Sequence, residues 1–81
     1  MNLIQLRKKI NKIDKEIISL ISKRQALMPV VGKYKKENGI AINQPQREKE
    51  ILDSLDGDLN KKIFKEIFKD SKKIQKSIIV K

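Results

Sequence analysis

The sequence predicts an all-α protein with three helices per chain, of which the first is long. Two observations carry this prediction. Apolar residues between positions 3 and 20 recur at alternating steps of three and four, which is the heptad pattern of a packing helix. Turn residues then divide the remaining chain into two shorter amphipathic stretches. The first apolar seam consists of Leu3, Leu6, Ile10, Ile13, Ile17 and Leu20.

The first helix has recognisable ends. Asn2 followed by Gln5 forms a capping box, in which each side chain accepts a hydrogen bond from the other residue's backbone N–H. Asn38-Gly39 is a typical C-terminal stop, because glycine adopts the left-handed conformation that ends many helices. These signals place the helix from Leu3 to about Glu37.

Pro29 is the irregularity inside this predicted helix. A proline within a helix removes one backbone hydrogen bond and crowds the preceding turn. Because Pro29 lies off the apolar seam, we expect a kink rather than a break. The alternative is two shorter helices that meet near Leu27 and Met28.

A helix of about 35 residues is a rod of roughly 50 Å, which is longer than an 81-residue globule is wide. The rest of the chain is too short to cover it. The sequence also has no Cys and no His, so disulfides, thiol nucleophiles, imidazole bases and ordinary zinc sites are excluded. Oligomerisation is the remaining way to stabilise so small a core, and we expect a second copy of the chain to complete the seam.

The second helix is predicted from Pro45, a favoured first helical residue, to Leu55. The segment 39–44 connects it to the first helix. Asp56-Gly57-Asp58 is a tight turn, with Asp58 as the expected N-cap of a third helix from about Leu59 to Ile79. The three helices account for the whole chain, so we expect a single domain over residues 1–81.

The net charge of +10 has two interpretations, a nucleic-acid or anionic-membrane binder and a solvated lysine-rich surface. The second is favoured, because one Tyr, two Phe and no Trp leave little for stacking on bases. Nucleic acid is therefore not an expected partner. No apolar run approaches the roughly 20 residues of a membrane span, and no signal-peptide pattern is visible, so a cytoplasmic protein is the expectation.

Five polar residues continue or join the apolar faces of the predicted helices. Arg24 stands on the first seam, and Lys35 follows eleven residues later on the same face, about 16 Å along the axis. Glu48 lies on the inward face of the second helix, and Ser71 and Gln75 extend the Phe64–Phe68 stripe of the third. Such a set is rich in donors and cations. It suits a small polyanion and a reaction catalysed by positioning and electrostatic stabilisation.

Five short segments are distributed in order along nearly the whole chain. They are Leu6-Arg7-Lys8-Lys9-Ile10 with Ile13-Asp14, Lys23-Arg24, Val31-Gly32-Lys33-Tyr34-Lys35, Arg47-Glu48, and Asp70-Ser71 with Gln75. Through this ordered set and its spacing, rather than through any single segment, the chain resembles the all-helical chorismate mutases of the AroQ class.

The resemblance implies an intertwined, antiparallel homodimer that rearranges chorismate to prephenate in phenylalanine and tyrosine biosynthesis, with no cofactor and no metal. Two arginines, Arg24 and the Arg7 of the second copy, would bind the substrate carboxylates. Lys35 and Gln75 would donate to the ether oxygen, and Glu48 would accept from the substrate hydroxyl. The resemblance also assigns supporting contacts at the carboxylates to Arg47 and Ser71.

One position departs from the family pattern, and two other functions stay open. Gln44 stands where family members often carry an acid, so the contact at the hydroxyl end lacks a charge. A lyase that removes pyruvate from isochorismate would share the fold and much of the cationic pocket. A non-catalytic basic dimer that binds nucleic acid or a partner enzyme is the other alternative, but it gives no reason for Arg24 on the seam.

Overall fold

The computed structural model describes residues 1–79, which form four helices and no strand. They are α1 (Leu3–Ala26), α2 (Met28–Glu37), α3 (Pro45–Asp53) and α4 (Asp58–Ile79). The longest dimension is 55 Å, close to the roughly 52 Å that 35 helical residues span in line. Helices α1 and α2 are thus two segments of the predicted first rod. The all-helical prediction is confirmed, and the three predicted helices correspond to α1 with α2, to α3 and to α4.

The first rod is interrupted at Leu27, so the prediction of one helix with a kink is wrong and the alternative of two helices is right. Leu27 is a one-residue turn whose N–H donates to the Arg24 carbonyl at 3.1 Å. Pro29, in the first turn of α2, has no N–H to offer the Gln25 carbonyl, and its ring would crowd that carbonyl. The missing bond ends α1, and the proline then suits the start of a new helix.

The predicted helix ends agree with the structure to within two residues. The capping box is present, with Asn2 Oδ1 accepting from the Gln5 N–H at 2.9 Å. Gly39 has the left-handed φ of 65° expected at the stop. Helix α3 ends at Asp53 rather than Leu55, and α4 begins at Asp58, which is therefore its first residue and not its N-cap. Helix ends fray, and differences of this size are ordinary.

The core lies where α2 packs on α4. Gly32 makes this packing close, because a Cβ atom at this position would lie 3.0 Å from Gln75 Cα. The buried apolar side chains are Met28 on α2 and Ile67 and Phe68 on α4. Helix α1 has no buried residue. Within residues 1–79, no helix is both long enough and apolar enough to cross a membrane.

Candidate active site

A cavity of about 290 Å³ lies between α2, α3 and α4, beside the last turn of α1. This volume is near the lower limit for sites that bind small molecules. Seven of the eight residues predicted from the sequence line it, and Arg7 does not. The seven are Arg24, Lys35, Gln44, Arg47, Glu48, Ser71 and Gln75.

Lys35 and Gln75 form a hydrogen-bonded pair across the α2–α4 interface. Lys35 Nζ donates to Gln75 Oε1 at 2.8 Å and to the Ile42 carbonyl at 3.1 Å. An ammonium group only donates, so the side-chain oxygen of Gln75 must face Lys35 and its NH₂ group must face elsewhere. One of its N–H groups points to Met28 Sδ at 3.4 Å. Each residue therefore keeps one N–H for a ligand in the cavity.

The surroundings of Lys35 disfavour its charged form. Partial burial lowers the pKa of Lys35 below its ordinary value of 10.5, and the nearby Arg47 lowers it further. Glu48 acts in the opposite direction and raises the pKa. An anion in the cavity would be attracted to a cation that water screens incompletely.

Arg24 reaches the cavity from the last turn of α1 and contacts neutral partners. Its Nη1 donates to Ser71 Oγ at 2.8 Å and to Gln25 Oε1 at 2.6 Å. The guanidinium carbon lies 5.8 Å from the centre of the Phe68 ring, within cation–π range. Burial, followed by repulsion from Arg47, lowers the pKa of Arg24. Among residues 1–79 no carboxylate forms an ion pair with it, so its charge is available to an anionic ligand.

Glu48 is the carboxylate of the cavity, and its partner was not found by sequence reasoning. Lys72 Nζ lies 3.2 Å from Glu48 Oε2 and 3.3 Å from Oε1. Lys72 directly follows the predicted site residue Ser71 in the sequence. One lysine on a lysine-rich helix, however, gives no distinctive pattern. Gln25 was missed as well, since an uncharged side chain beside an arginine gives no pattern by itself.

Gln44 and Arg7 stand apart from the rest of the predicted set. Gln44 lines the cavity but its Nε2 donates to the Ala41 carbonyl at 2.7 Å, which holds the loop before α3. Arg7 is 17 residues before Arg24 on α1, about 25 Å along the axis, and cannot reach the cavity of its own chain.

The cavity as a whole is cationic, and its lining contains no thiol nucleophile and no imidazole base. Four cationic side chains line it against one carboxylate. Within the described part of the chain, no cluster of three acidic residues is placed to ligate a metal ion. Such a site can bind a small polyanion and stabilise negative charge that develops on it during a reaction.

Comparisons with known proteins agree with this chemistry. Residues 6–76 match the family model described as chorismate mutase type II. The chain is 36% identical to a chorismate mutase of Methanocaldococcus jannaschii, an alignment that covers 95% of this chain and 87% of the relative. It is also 36% identical, over 79% of its length, to a bifunctional chorismate mutase/prephenate dehydratase of Aquifex aeolicus, of which it spans only 17%. A conserved hypothetical protein from Pyrococcus furiosus has a similar structure, with a TM-score of 0.80, 41% identity and coverage of 90% of this chain and 93% of that one.

Proposed function

Because the chain belongs to the chorismate mutase type II family and is an isomerase, we propose that its cavity converts chorismate to prephenate. The observation that carries the proposal is the Lys35–Gln75 pair, which presents two N–H donors in a cavity with excess positive charge. This rearrangement breaks a C–O bond while a C–C bond forms in the same molecule, so neither a nucleophile nor a base is needed.

Lys35 and Gln75 act on the charge that develops during the reaction. As the C–O bond of chorismate lengthens, negative charge grows on the ether oxygen. Two donors that are already fixed, one by the Ile42 carbonyl and one by Met28, stabilise this charge without reorganising. They interact more strongly with the transition state than with the substrate, and this difference accelerates the reaction.

The remaining residues of the cavity hold the substrate. Arg24 binds one carboxylate of the substrate, with Ser71 beside it. Arg47, in the first turn of α3, adds positive charge to the cavity. Glu48 accepts a hydrogen bond from the substrate hydroxyl, and Gln44 lines the cavity at the end that holds this hydroxyl. Arginine suits this role, since its planar fork donates two parallel hydrogen bonds to a carboxylate.

The second carboxylate is bound by Arg7 of another copy of the chain in an intertwined, antiparallel homodimer. The support for this part of the proposal is the state of α1. Its seam residues are exposed, among them Ile13 at 54% and Leu20 at 65%, and a single chain has nothing to cover them. An antiparallel copy would cover the seam and bring an Arg7 toward the cavity. The cytoplasmic location expected from the sequence stays a prediction.

The catalytic assignment is tested by following chorismate consumption by ultraviolet absorbance and identifying the product. Lys35→Ala and Gln75→Ala should each lower kcat by about 10²–10³-fold, the usual effect of removing one donor to a developing charge. Lys36→Ala, which removes the exposed neighbouring lysine on α2, is the matched control and should keep full activity. Unchanged kcat in both cavity variants would refute the assignment. Pyruvate release from isochorismate, without prephenate from chorismate, would identify the lyase instead.

The dimer is tested by complementation between two inactive variants. Arg7→Ala and Lys35→Ala chains, unfolded together and refolded in equal amounts, form mixed dimers in which one site has both residues and the other has neither. About one quarter of the wild-type activity should return, because half of the dimers are mixed and half of their sites are complete. No recovery of activity would show that Arg7 and Lys35 serve the same chain's site, and an Arg7→Ala variant that is active by itself would show that Arg7 serves none.

A further inference from the structure

The neutral partners of Arg24 form a closed network around Gln25. Gln25 Nε2 donates to Asp70 Oδ2 at 2.9 Å and to Ser71 Oγ at 3.0 Å, while its Oε1 accepts from Arg24. The Ser71 hydroxyl donates to the Ile67 carbonyl at 2.7 Å, so its oxygen is left to accept from both Gln25 and Arg24. Each polar group in this set has a partner of the right kind.

We propose that Gln25, oriented by Asp70, is a positioning residue that sets the guanidinium of Arg24 for the substrate carboxylate. The inference rests on the proposed function of the cavity. A carboxylate only accepts hydrogen bonds, so Asp70 fixes which end of the Gln25 amide faces it. The nitrogen must point to Asp70, and the oxygen must then point to Arg24. Asp70 thus acts on Arg24 through Gln25, without contacting the cavity itself.

The position of Arg24 in the fold explains why its guanidinium needs a positioning residue. Arg24 lies in the last turn of α1, three residues before the turn at Leu27. A side chain at the end of one helix does not keep a fixed place relative to another helix unless contacts connect the two. Arg24 has one direct hydrogen bond to α4, to Ser71. Gln25 strengthens this connection, because it follows Arg24 on α1 and donates to three residues of α4, Ile67, Asp70 and Ser71.

The choice of an amide matters electrostatically. A glutamate at position 25 would accept from Arg24 as well, but it would pair with the guanidinium and compete with the substrate carboxylate. It would also face Asp70 across the present 2.9 Å hydrogen bond, where two carboxylates repel each other. Glutamine holds the cation in place and leaves its charge to the ligand.

The inference predicts an effect on substrate affinity more than on turnover. Gln25→Ala should raise the KM for chorismate about tenfold and leave kcat nearly unchanged, because Arg24 binds the carboxylate in substrate and transition state alike. Gln46→Ala, which removes an exposed glutamine of α3, is the control and should change neither constant. An unchanged KM in a folded Gln25→Ala protein would overturn the inference.

A double variant separates positioning from a merely structural role. In Gln25→Glu combined with Asp70→Asn, the asparagine amide can donate to the new carboxylate, so the hydrogen bond between α1 and α4 returns and Tm should approach that of the wild type. KM should stay high, since the new carboxylate neutralises Arg24. Recovery of both Tm and KM would mean that Gln25 only stabilises the fold and would overturn the inference. Absence of wild-type turnover in the same assay would instead refute the proposed function.

Discussion

Two regions of this molecule use similar apolar side chains with opposite results. The amino-terminal arm, residues 3–20 of α1, exposes its whole seam, whereas the pocket end, residues 24–79, buries Ile67 to 9% exposure and Phe68 to 5%. Seven of the predicted site residues lie at the pocket end and only Arg7 lies on the arm. One chain therefore builds most of a site by itself, and the arm has the character of a surface made for another molecule.

The largest effect is expected from a charge placed on the arm. Ile10→Asp should convert the proposed dimer to monomers, because each dimer contains two copies of the change and each loses roughly 1.5–3 kcal/mol of apolar burial. The dimer dissociation constant should rise by about 10²–10⁴-fold, and activity should fall with it as Arg7 is lost from the partner's site. Sedimentation equilibrium measures the constant.

Asn11→Asp is the matched control for this change. It adds the same charge at the next, exposed position of α1, off the seam. It should leave the dimer constant within a few-fold of the wild type. A monomeric wild-type protein with full activity would break the comparison, because the exposed seam would then have no partner to cover it.

The arm and the pocket end also differ in how far the sequence predicts them. The helical periodicity of α1 and the capping box of Asn2 are local patterns, and both were predicted correctly. The role of the seam as a contact surface stays a prediction. The helix break at Leu27 was not the favoured prediction, because whether Pro29 bends or ends a helix depends on whether the preceding backbone carbonyls accept hydrogen bonds from other groups. Gln25 and Lys72 were missed for a related reason. Their roles come from Asp70 and Glu48, which only the packing of α1 and α3 against α4 brings near them.

A smaller effect is expected where the pocket end is packed most closely. Gly32→Ala should lower the free energy of unfolding by about 1–3 kcal/mol, since the new methyl group meets the Gln75 backbone at 3.0 Å. Alanine is the better helix former by about 1 kcal/mol, so a loss of stability would mean that packing outweighs propensity. The kcat should also fall, because α4 must shift at Gln75. Urea unfolding and chorismate turnover measure the two effects.

Ser22→Ala on α1 provides the comparison for Gly32→Ala. Ser22 is exposed, so its replacement changes helix propensity without a new contact, and stability should stay within about 0.5 kcal/mol of the wild type. A gain in stability from Gly32→Ala would contradict the close contact between α2 and α4.

The smallest effect is a shift in pH dependence that only the pocket end should produce. The pKa of Lys35 lies below 10.5 because of burial and of Arg47, so kcat/KM should decline on the alkaline side at a pH below 10.5 as the ammonium loses its proton. A bound dianion raises this pKa, so the decline of kcat should begin at a higher pH than that of kcat/KM.

The free energy of unfolding should change in the opposite direction and increase over the same pH range. The unfolded chain holds the proton more tightly, and the penalty for burying the charge disappears as the pH rises from the folded pKa toward 10.5.

Arg47→Gln identifies the cause of this shift. It removes a like charge near Lys35, so the alkaline limb of kcat/KM should move up toward 10.5, although substrate affinity falls at the same time. The limb should not reach that value, because burial is the larger cause and the substitution leaves it in place. A wild-type limb at or above 10.5 would mean that Lys35 is solvated like a residue of the arm, and the electrostatic difference between the two regions would not hold.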